Sequence, residues 1–484
     1  MAPLTEGEPL HFLSIARLGA AYRARELDPV AVTRAYLERI ASLEPRLQSH
    51  ITVLADAALT EARASAERFG RGAPLGALDG VPIGLKDLYD TAGVRTTAAS
   101  RMFVERVPDR DATIVRRLRD AGAVITGKHM LNEFASGRPE LGDPQFPPPR
   151  NPWDIEMLSG GSSSGSSVAV AAGLCAGAFG SDTGGSIRLP ASNCGVVGLK
   201  PTNGVVSLAG VIPLSWTLDV AGPIARTVED VALLLQAVAG HDPADLESAD
   251  VPVPDYTARL GAGVRGLRVG VPRRFIESYP DIDAEALKAY EDGLRVLRDL
   301  GASVQDVDVP QDEIAKAKPA FPAIMLVEAL AFHGEMLRSS PQLYGRPFLA
   351  RLREGEKISA LDHALGHRAR RRLTLAFDEV MRSQDLLALP TVPWPHRRVD
   401  DNTPVAADRA ILTFVFNLTA QPAISVPCGF TRARMPLGFQ LAARRFEEPL
   451  LLGAAAAFER AVGSDAWHPP LDEPAVTAGT RART

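Results

Sequence analysis

Hydrophobic and polar positions along this chain follow two patterns, one typical of amphipathic helices and the other of buried strands. In residues 29–43 apolar side chains recur every three or four positions with charges between them, which predicts an amphipathic helix. Residues 56–69 predict a second polar-faced helix. Short apolar runs beside glycine, at 80–85 and 122–128, predict buried strands of an α/β sheet.

The same alternation continues through the second half of the chain. Residues 266–272, followed by a helical pattern and another apolar run, predict a strand–helix–strand unit. Two further core strands are predicted at 421–430 and 436–446, followed by a helix at 449–461. No internal repeat and no Gly/Ser linker separates these elements, so the pattern favours one continuous α/β domain. The proline-rich segment 142–152 is expected to be a surface loop.

Composition narrows the expected class of protein. The domain is expected to cover residues 1–470, with residues 471–484 as a disordered tail. Hydrophobic residues make up 46% of 484 residues, enough for a large core, and the formal charge of −5 predicts neither nucleic acid nor membrane as a partner. We expect a cytoplasmic protein, since there is no secretory signal, no long apolar span and no cysteine pattern of a disulfide framework.

Two clusters rich in glycine and serine interrupt the predicted elements. The first, "SGGSSSGSSVAVAAG" at 159–173, contains the G-x-S-x-G pattern of the α/β-hydrolase nucleophile elbow, centred on Ser163. An elbow needs a strand directly before it, and the preceding "NPWDIEML" is rich in turn formers. An esterase that uses Ser163 is therefore kept only as the alternative from another enzyme class.

The second cluster, "SDTGGSIRLP" at 181–190, is the better candidate for chemistry. Its two adjacent glycines lack side chains, so backbone N–H groups can point at one small volume and form an oxyanion hole. Ser186 follows these glycines directly. A serine in that place is a candidate nucleophile if a base can remove its proton.

The base is harder to identify, because no histidine lies near either cluster in the sequence. His363 and His367 have metal-ligand spacing, but arginines surround them and we interpret the segment as a solvated helix without a metal. Lys86 directly follows a predicted buried strand, where burial would favour its neutral, basic form. A structural lysine paired with Asp87 or Asp90 is an equally open interpretation.

Five long motifs together resemble the amidase signature family. The resemblance covers nearly the whole chain and implies a single α/β domain, in which helices sandwich a large, mixed, twisted sheet. It implies acyl transfer by a Ser–cis-Ser–Lys triad, with no metal and no cofactor. The motifs are "GVPIGLKDLYDTAG", "GGSSSGSSVAVAAG", "GSDTGGSIRLPASNCGVVGLKPTNG", "LDVAGPIARTVEDVALLL" and "FNLTAQPAISVPCGF" with "MPLGFQLAARRFEE".

Roles follow from the resemblance, motif by motif. Ser186 is implied as the nucleophile, Ser162 as the bridging serine with a cis peptide bond, and Lys86 as the base. The chain departs from the family at Ala420, where glycine is usual. The other implied residues are the oxyanion-hole donors Thr183, Gly184 and Gly185 and the structural ion pair of Asp182 with Arg188.

The substrate is left open by the family, whose members include amidases, carbamate hydrolases and the glutaminase subunit of tRNA-dependent amidotransferases. That subunit has an acidic residue before its Asn-Leu segment, whereas residues 410–416 here carry no charge. We therefore expect a stand-alone hydrolase of hydrophobic or aryl amides, with urethanase, aryl acylamidase and glutaminase activities as alternatives. A small amide or carbamate is the expected partner, and a homodimer is left open. The expected pocket residues are Met130, Leu131, Phe134, Phe146 and Trp216.

Overall fold

The computed structural model describes residues 10–136, 142–279, 282–394, 396–401 and 410–471. The α-helices are α1 (Ile15–Ala24), α2 (Pro29–Leu47), α3 (Ala55–Gly70), α4 (Thr113–Asp120), α5 (Ser164–Ala171), α6 (Arg188–Cys194), α7 (Val228–Val238), α8 (Arg273–Glu277), α9 (Ala284–Asp299), α10 (Gln311–Ser339), α11 (Arg346–Gly355), α12 (Ala360–Ser383), α13 (Ile411–Leu418) and α14 (Glu448–Val462). The strands are β1 (His50–Val53), β2 (Pro82–Lys86), β3 (Val124–His129), β4 (Arg150–Asn151), β5 (Asp154–Leu158), β6 (Gly177–Asp182), β7 (Val197–Lys200), β8 (Val220–Ala225), β9 (Arg268–Val271), β10 (Ser303–Asp306), β11 (Leu386–Pro390), β12 (Ala423–Phe430) and β13 (Pro436–Ala443).

Eleven of these strands form one mixed sheet in the order β1-β3-β2-β6-β8-β7-β12-β13-β11-β9-β10. β2 runs parallel to both β3 and β6, and β9 runs parallel to β10 and β11, while the other neighbours are antiparallel. The central strands β2, β6, β7 and β8 are buried along their whole length. Such strands need cover on both faces, which the helices provide.

The periodic segments of the sequence form the expected elements. The helix predicted at 29–43 is α2, which begins at Pro29 behind Asp28, whose side chain accepts from the Ala31 N–H. It continues to Leu47 and ends where Gln48 adopts a left-handed conformation. The apolar runs beside glycine form β2 and β3, and the two late runs form β12 and β13. The α/β prediction is confirmed.

Two segments differ from the prediction. Residues 154–158, interpreted as turn-rich, form β5, which pairs with β4 in a hairpin outside the main sheet. The segment 142–152, expected as a surface loop, contains β4 and contributes Pro148 and Pro149 to a cavity wall. Sequence pattern misses such a hairpin because its strands are short and half exposed, without the apolar run of a core strand.

Helix α10 is long and apolar enough to cross a membrane by length and composition. It contains Pro319 and Pro322 and packs against α11 and α12, with more than half of its apolar window buried inside the protein. These features are typical of a core helix. Of the tail predicted from 471 onward, residues 472–484 lie outside the described residues.

Candidate active site

The sheet brings the two glycine- and serine-rich clusters to the end of a buried strand. β2 ends at Lys86, and its parallel neighbour β6 ends at Asp182, so both strands finish at the same edge. The second cluster continues from β6 into α6. The first cluster leads into α5, which packs on β6. Segments that are far apart in the chain therefore meet at one point.

Lys86 is fully buried and surrounded by hydroxyl groups rather than carboxylates. Its Nζ lies 2.7 Å from the Oγ of Ser162, 2.9 Å from that of Ser181 and 3.1 Å from that of Ser163. Burial lowers the pKa of Lys86 from its ordinary value to about 7, although the carboxylates of Asp219 and Asp182 act in the opposite direction. About half of the molecules therefore carry a neutral amine at neutral pH.

The two aspartates nearest to Lys86 in the sequence are engaged by other residues, so the ion pair expected for a structural lysine is not formed. Asp87 lies 3.0 Å from the ammonium of Lys128, and Asp90 accepts two hydrogen bonds from Arg106. Neither forms an ion pair with Lys86. Lys128, which sequence reasoning missed, is the lysine that serves as the structural partner of Asp87.

Ser162 and Ser186 line the same cavity of about 310 Å³. The peptide bond between Gly161 and Ser162 is cis, as the family resemblance implies. Ser186 is half-buried, and its hydroxyl has no hydrogen-bond partner within the described ranges. A substrate that enters this cavity therefore meets the hydroxyl of Ser186 directly.

Ser163 occupies a different environment, although β5 does precede the G-x-S-x-G pattern. Its side chain is fully buried and is not part of the cavity wall. Its hydroxyl donates to the Ser181 carbonyl and accepts from the backbone N–H of Ser181. The hydroxyl that an elbow would expose is thus occupied by internal hydrogen bonds.

The expected oxyanion hole is only partly available. Thr183 and Gly184 line the cavity, but the N–H of Gly185 donates to the Asp182 carboxylate at 2.7 Å. The hydroxyl of Thr183 donates to Asp219, a residue that sequence reasoning missed. Burial raises the pKa of Asp219 to about 6, against the hydrogen bond from Thr183. Asp219 therefore fixes the side chain of Thr183 beside the cavity.

Asp182 and Arg188 form a fully buried ion pair behind this loop. Two guanidinium nitrogens of Arg188 donate to the two carboxylate oxygens, at 3.0 and 2.9 Å. Arg188 also donates to Asn417 and Gln440, and Asn417 donates back to Asp182. Burial alone would raise the pKa of Asp182, but Arg188 holds it well below its usual range. The pair links the loop after β6 to α13 and β13.

The cavity wall differs from the set of residues expected from sequence. Leu131 and Phe146 line a separate small pocket, and Trp216 is 41% exposed beside another. Phe134 packs against His333, Tyr344 and Phe348, and Met130 is buried beside Gly165. None of the five is in the wall: four lie in the segment between β3 and α5 but point away from the cavity, and Trp216 lies between β7 and β8. The larger apolar side chains that do line the cavity, besides Pro148 and Pro149, are Leu158, Leu189, Leu214, Phe321, Met325 and Trp394.

Arg351 is the unexpected polar residue of the cavity. It projects from α11, and its Nε is buried. Within the described residues its guanidinium has no hydrogen-bond acceptor, and burial lowers its pKa. Arg397 also lines the cavity but forms an ion pair with Asp401. A largely buried guanidinium that has no acceptor among the described residues can bind an anion.

Comparison with known proteins shows which family this chain resembles in sequence and in fold. The profile of the Amidase family matches residues 31–452. The chain is 39% identical to a glutamyl-tRNA(Gln) amidotransferase subunit from Carboxydothermus hydrogenoformans, over 93% of this chain and 97% of that protein. Its fold is similar to that of a chain in a protein complex described as revealing the evolutionary origins of an s-triazine catabolic enzyme (TM-score 0.87, 29% identity, 93% and 99% coverage). It is also similar to peptide amidase from Stenotrophomonas maltophilia (TM-score 0.82, 34% identity, 96% and 100% coverage).

The chain therefore belongs to the amidase family and is an amidohydrolase of that class. One expectation is wrong: nucleic acid was excluded as a partner, whereas the amidotransferase relatives are named for glutamyl-tRNA(Gln). The expectation rested on the net charge of −5. Net charge describes only the field of this one chain, and other subunits of a complex can supply the basic surface.

Proposed function

We propose that this member of the amidase family cleaves a carboxamide C–N bond through an acyl-enzyme on Ser186. A neutral amine has one lone pair and two N–H groups and can therefore form three hydrogen bonds, which is the number of hydroxyl groups around Lys86. In the proposed neutral form of Lys86, the lone pair of Nζ accepts from the hydroxyl of Ser162, and its two N–H groups donate to Ser181 and Ser163. Ser162, which contacts Lys86 and shares the cavity with Ser186, is the natural relay between the two.

The reaction then follows from these contacts. The Oγ of Ser186 attacks the carbonyl carbon while its proton moves to Ser162, whose own proton passes to Lys86. The carbonyl becomes an oxyanion, for which the backbone N–H groups of Thr183 and Gly184 are the donors we propose. The C–N bond breaks, the proton returns through Ser162 to the leaving nitrogen, and water hydrolyses the ester on Ser186.

We further propose that the amide substrate carries a carboxylate, as glutamine does, and that the chain is the glutaminase subunit of a tRNA-dependent amidotransferase. The observation that supports this substrate is Arg351, a largely buried guanidinium in the cavity that has no acceptor among the described residues. The full-length similarity to amidotransferase subunits supports the assembly. A cytoplasmic location belongs to the same proposal, and Cys175, Cys194 and Cys428 are free thiols, as a reducing compartment maintains them.

A second candidate is the hydrolysis of a hydrophobic amide or carbamate by the same steps. Two observations favour it. The cavity wall is largely apolar, with Phe321 stacked on Phe414 beside Gly184. In addition, no residue of the segment 410–416 is charged, so this segment offers no carboxylate for the ammonium group of glutamine.

Arg351→Met separates the two candidates. Loss of a charge-assisted hydrogen bond costs about 1.5–3 kcal/mol, so KM for glutamine should rise about 10- to 150-fold. Hydrolysis of a neutral aliphatic amide should not change. The matched control is Arg353→Met, which removes an exposed arginine of the same helix. Adding partner subunits and charged tRNA should increase glutamine hydrolysis.

Two results would contradict the glutaminase proposal. Arg351→Met would slow glutamine and neutral amides equally if Arg351 were only structural. A large preference of the unaltered chain for aryl amides or carbamates, with or without partner subunits, would establish the second candidate. Both results would leave the acyl-transfer mechanism intact.

A further inference from the structure

A cluster of metal-binding side chains lies outside the active-site cavity. His363 and His367 are one turn apart on α12, and Glu328 projects towards them from α10. The Nε2 atoms of the two histidines are 3.2 Å apart, and the Nε2 of His367 is 3.8 Å from Oε1 of Glu328. One ligand atom from each residue lies within 4.8 Å of the other two. The sequence contained the histidine pair but could not show the glutamate, which belongs to a different helix.

We propose that Glu328, His363 and His367 form a binding site for a divalent first-row transition metal such as Zn²⁺. Zinc binds imidazole nitrogen and carboxylate oxygen at about 2.0–2.2 Å, which puts tetrahedral ligand atoms about 3.3 Å apart. The observed 3.2 and 3.8 Å need only small side-chain rotations to reach this spacing. Calcium and magnesium prefer oxygen ligands throughout, so the two imidazoles select against them.

The carboxylate of this cluster is already held in place. Glu328 is 2% exposed, and it accepts hydrogen bonds from the hydroxyls of Ser215 and Thr217 and from the backbone N–H of Thr217. Partners of this kind orient a metal-ligating carboxylate. The two histidines are half-buried, so an ion can reach them from solvent.

One neighbouring charge opposes a cation. Arg370 lies one turn beyond His367, and its guanidinium donates to the carbonyls of Thr217 and Leu418. Burial lowers the pKa of Arg370, while the carboxylates of Glu328 and Glu247 favour its charged form. The cation would therefore share the carboxylate of Glu328 with this neighbouring guanidinium.

An ion here would join elements that also support the active site. It would connect α10 to α12 and, through Glu328, to the segment at Ser215 and Thr217. The N–H of Ser215 donates to Asp219, which accepts from Thr183 at the cavity. We therefore expect a metal that stabilises the fold around the catalytic loop rather than one that contacts the substrate.

The test is a titration of Co²⁺ into the full chain, purified without a histidine tag and stripped of metal by a chelator. Visible absorption of Co²⁺ reports low-coordinate nitrogen and oxygen ligands, and native mass spectrometry with Zn²⁺ gives the stoichiometry. We expect one ion per chain and a higher melting temperature with Zn²⁺. His363→Ala and His367→Ala should lose both effects, while His241→Ala, which removes an exposed histidine elsewhere, should keep them.

Each other outcome overturns the proposal. A chain that binds no ion, or binds one without any change in the two histidine variants, has no site at this cluster. The variants must melt like the unaltered chain in metal-free buffer, and His363→Gln, which keeps a polar side chain of similar size, provides a second test of the same ligand. Retention of the Co²⁺ spectrum by both His363 variants would also exclude the site.

Discussion

Raising the pH across neutrality should activate this enzyme, because it converts the buried ammonium of Lys86 to a neutral amine. With a pKa of about 7, the neutral fraction is about one tenth at pH 6, half at pH 7 and nine tenths at pH 8. For a neutral amide substrate, kcat/KM should therefore rise about ninefold between pH 6 and pH 8 and then level off. Lys86→Ala should lower it about 100-fold or more, and Lys86→Arg should fail as well because guanidinium stays protonated.

Asp219, which fixes Thr183 beside the cavity, is one group that could imitate this profile, since burial raises its pKa to about 6. Asp219→Asn removes the titration of that carboxyl group. The rise of kcat/KM near pH 7 should remain in this variant, although its activity can be lower at every pH. Steady-state rates in buffers of constant ionic strength, with the fold checked at each pH, provide the measurement. A flat profile from pH 6 to pH 8 in the unaltered chain, or an active Lys86→Arg variant, would refute the assignment of Lys86 as the base.

Three further predictions concern stability. The pKa of Lys86 is lower in the folded chain than in the unfolded one, so the buried lysine destabilises the fold at any pH below its unfolded pKa. In calorimetric scans, Lys86→Met should therefore have a higher melting temperature than the unaltered chain at pH 7. This difference in melting temperature should shrink as the pH rises towards 10. Arg188→Met should cost about 3–5 kcal/mol of unfolding free energy in urea titrations, because it leaves the Asp182 carboxylate buried without its partner. Ala420 has a φ of 60°, so Ala420→Gly should raise the urea midpoint, with a gain of up to about 1 kcal/mol.

The sequence predicted those parts of the molecule that are encoded locally. The periodicity of residues 29–43 and the apolar runs around β2 and β3 reflect the pitch of a helix and burial on both faces of a sheet. The resemblance carried by the long glycine-rich motifs also implied a cis peptide bond before Ser162, which the structure contains. The catalytic roles of Lys86, Ser162 and Ser186 stay predictions.

Long-range packing explains what the sequence could not predict. The pocket residues expected from the loop after β3 turn away from the cavity, and Arg351 enters it from α11, a helix much later in the chain. Asp219 supports Thr183 across the β6–β8 pair, and Lys128 rather than Lys86 binds Asp87. None of these contacts leaves a periodic or compositional trace, because each depends on where distant elements meet.

The attachment site of a serine-directed inhibitor tests the central claim most directly. The chain is treated with a fluorophosphonate, digested and mapped by mass spectrometry, with Ser162→Ala and Ser186→Ala as companion variants. The account predicts an adduct on Ser186 alone, slower labelling of Ser162→Ala, and none of Ser186→Ala, because the hydroxyl of Ser186 faces the cavity without an internal partner among the described residues, whereas those of Ser162 and Ser163 contact Lys86. An adduct on Ser162 or on the buried Ser163 would contradict it.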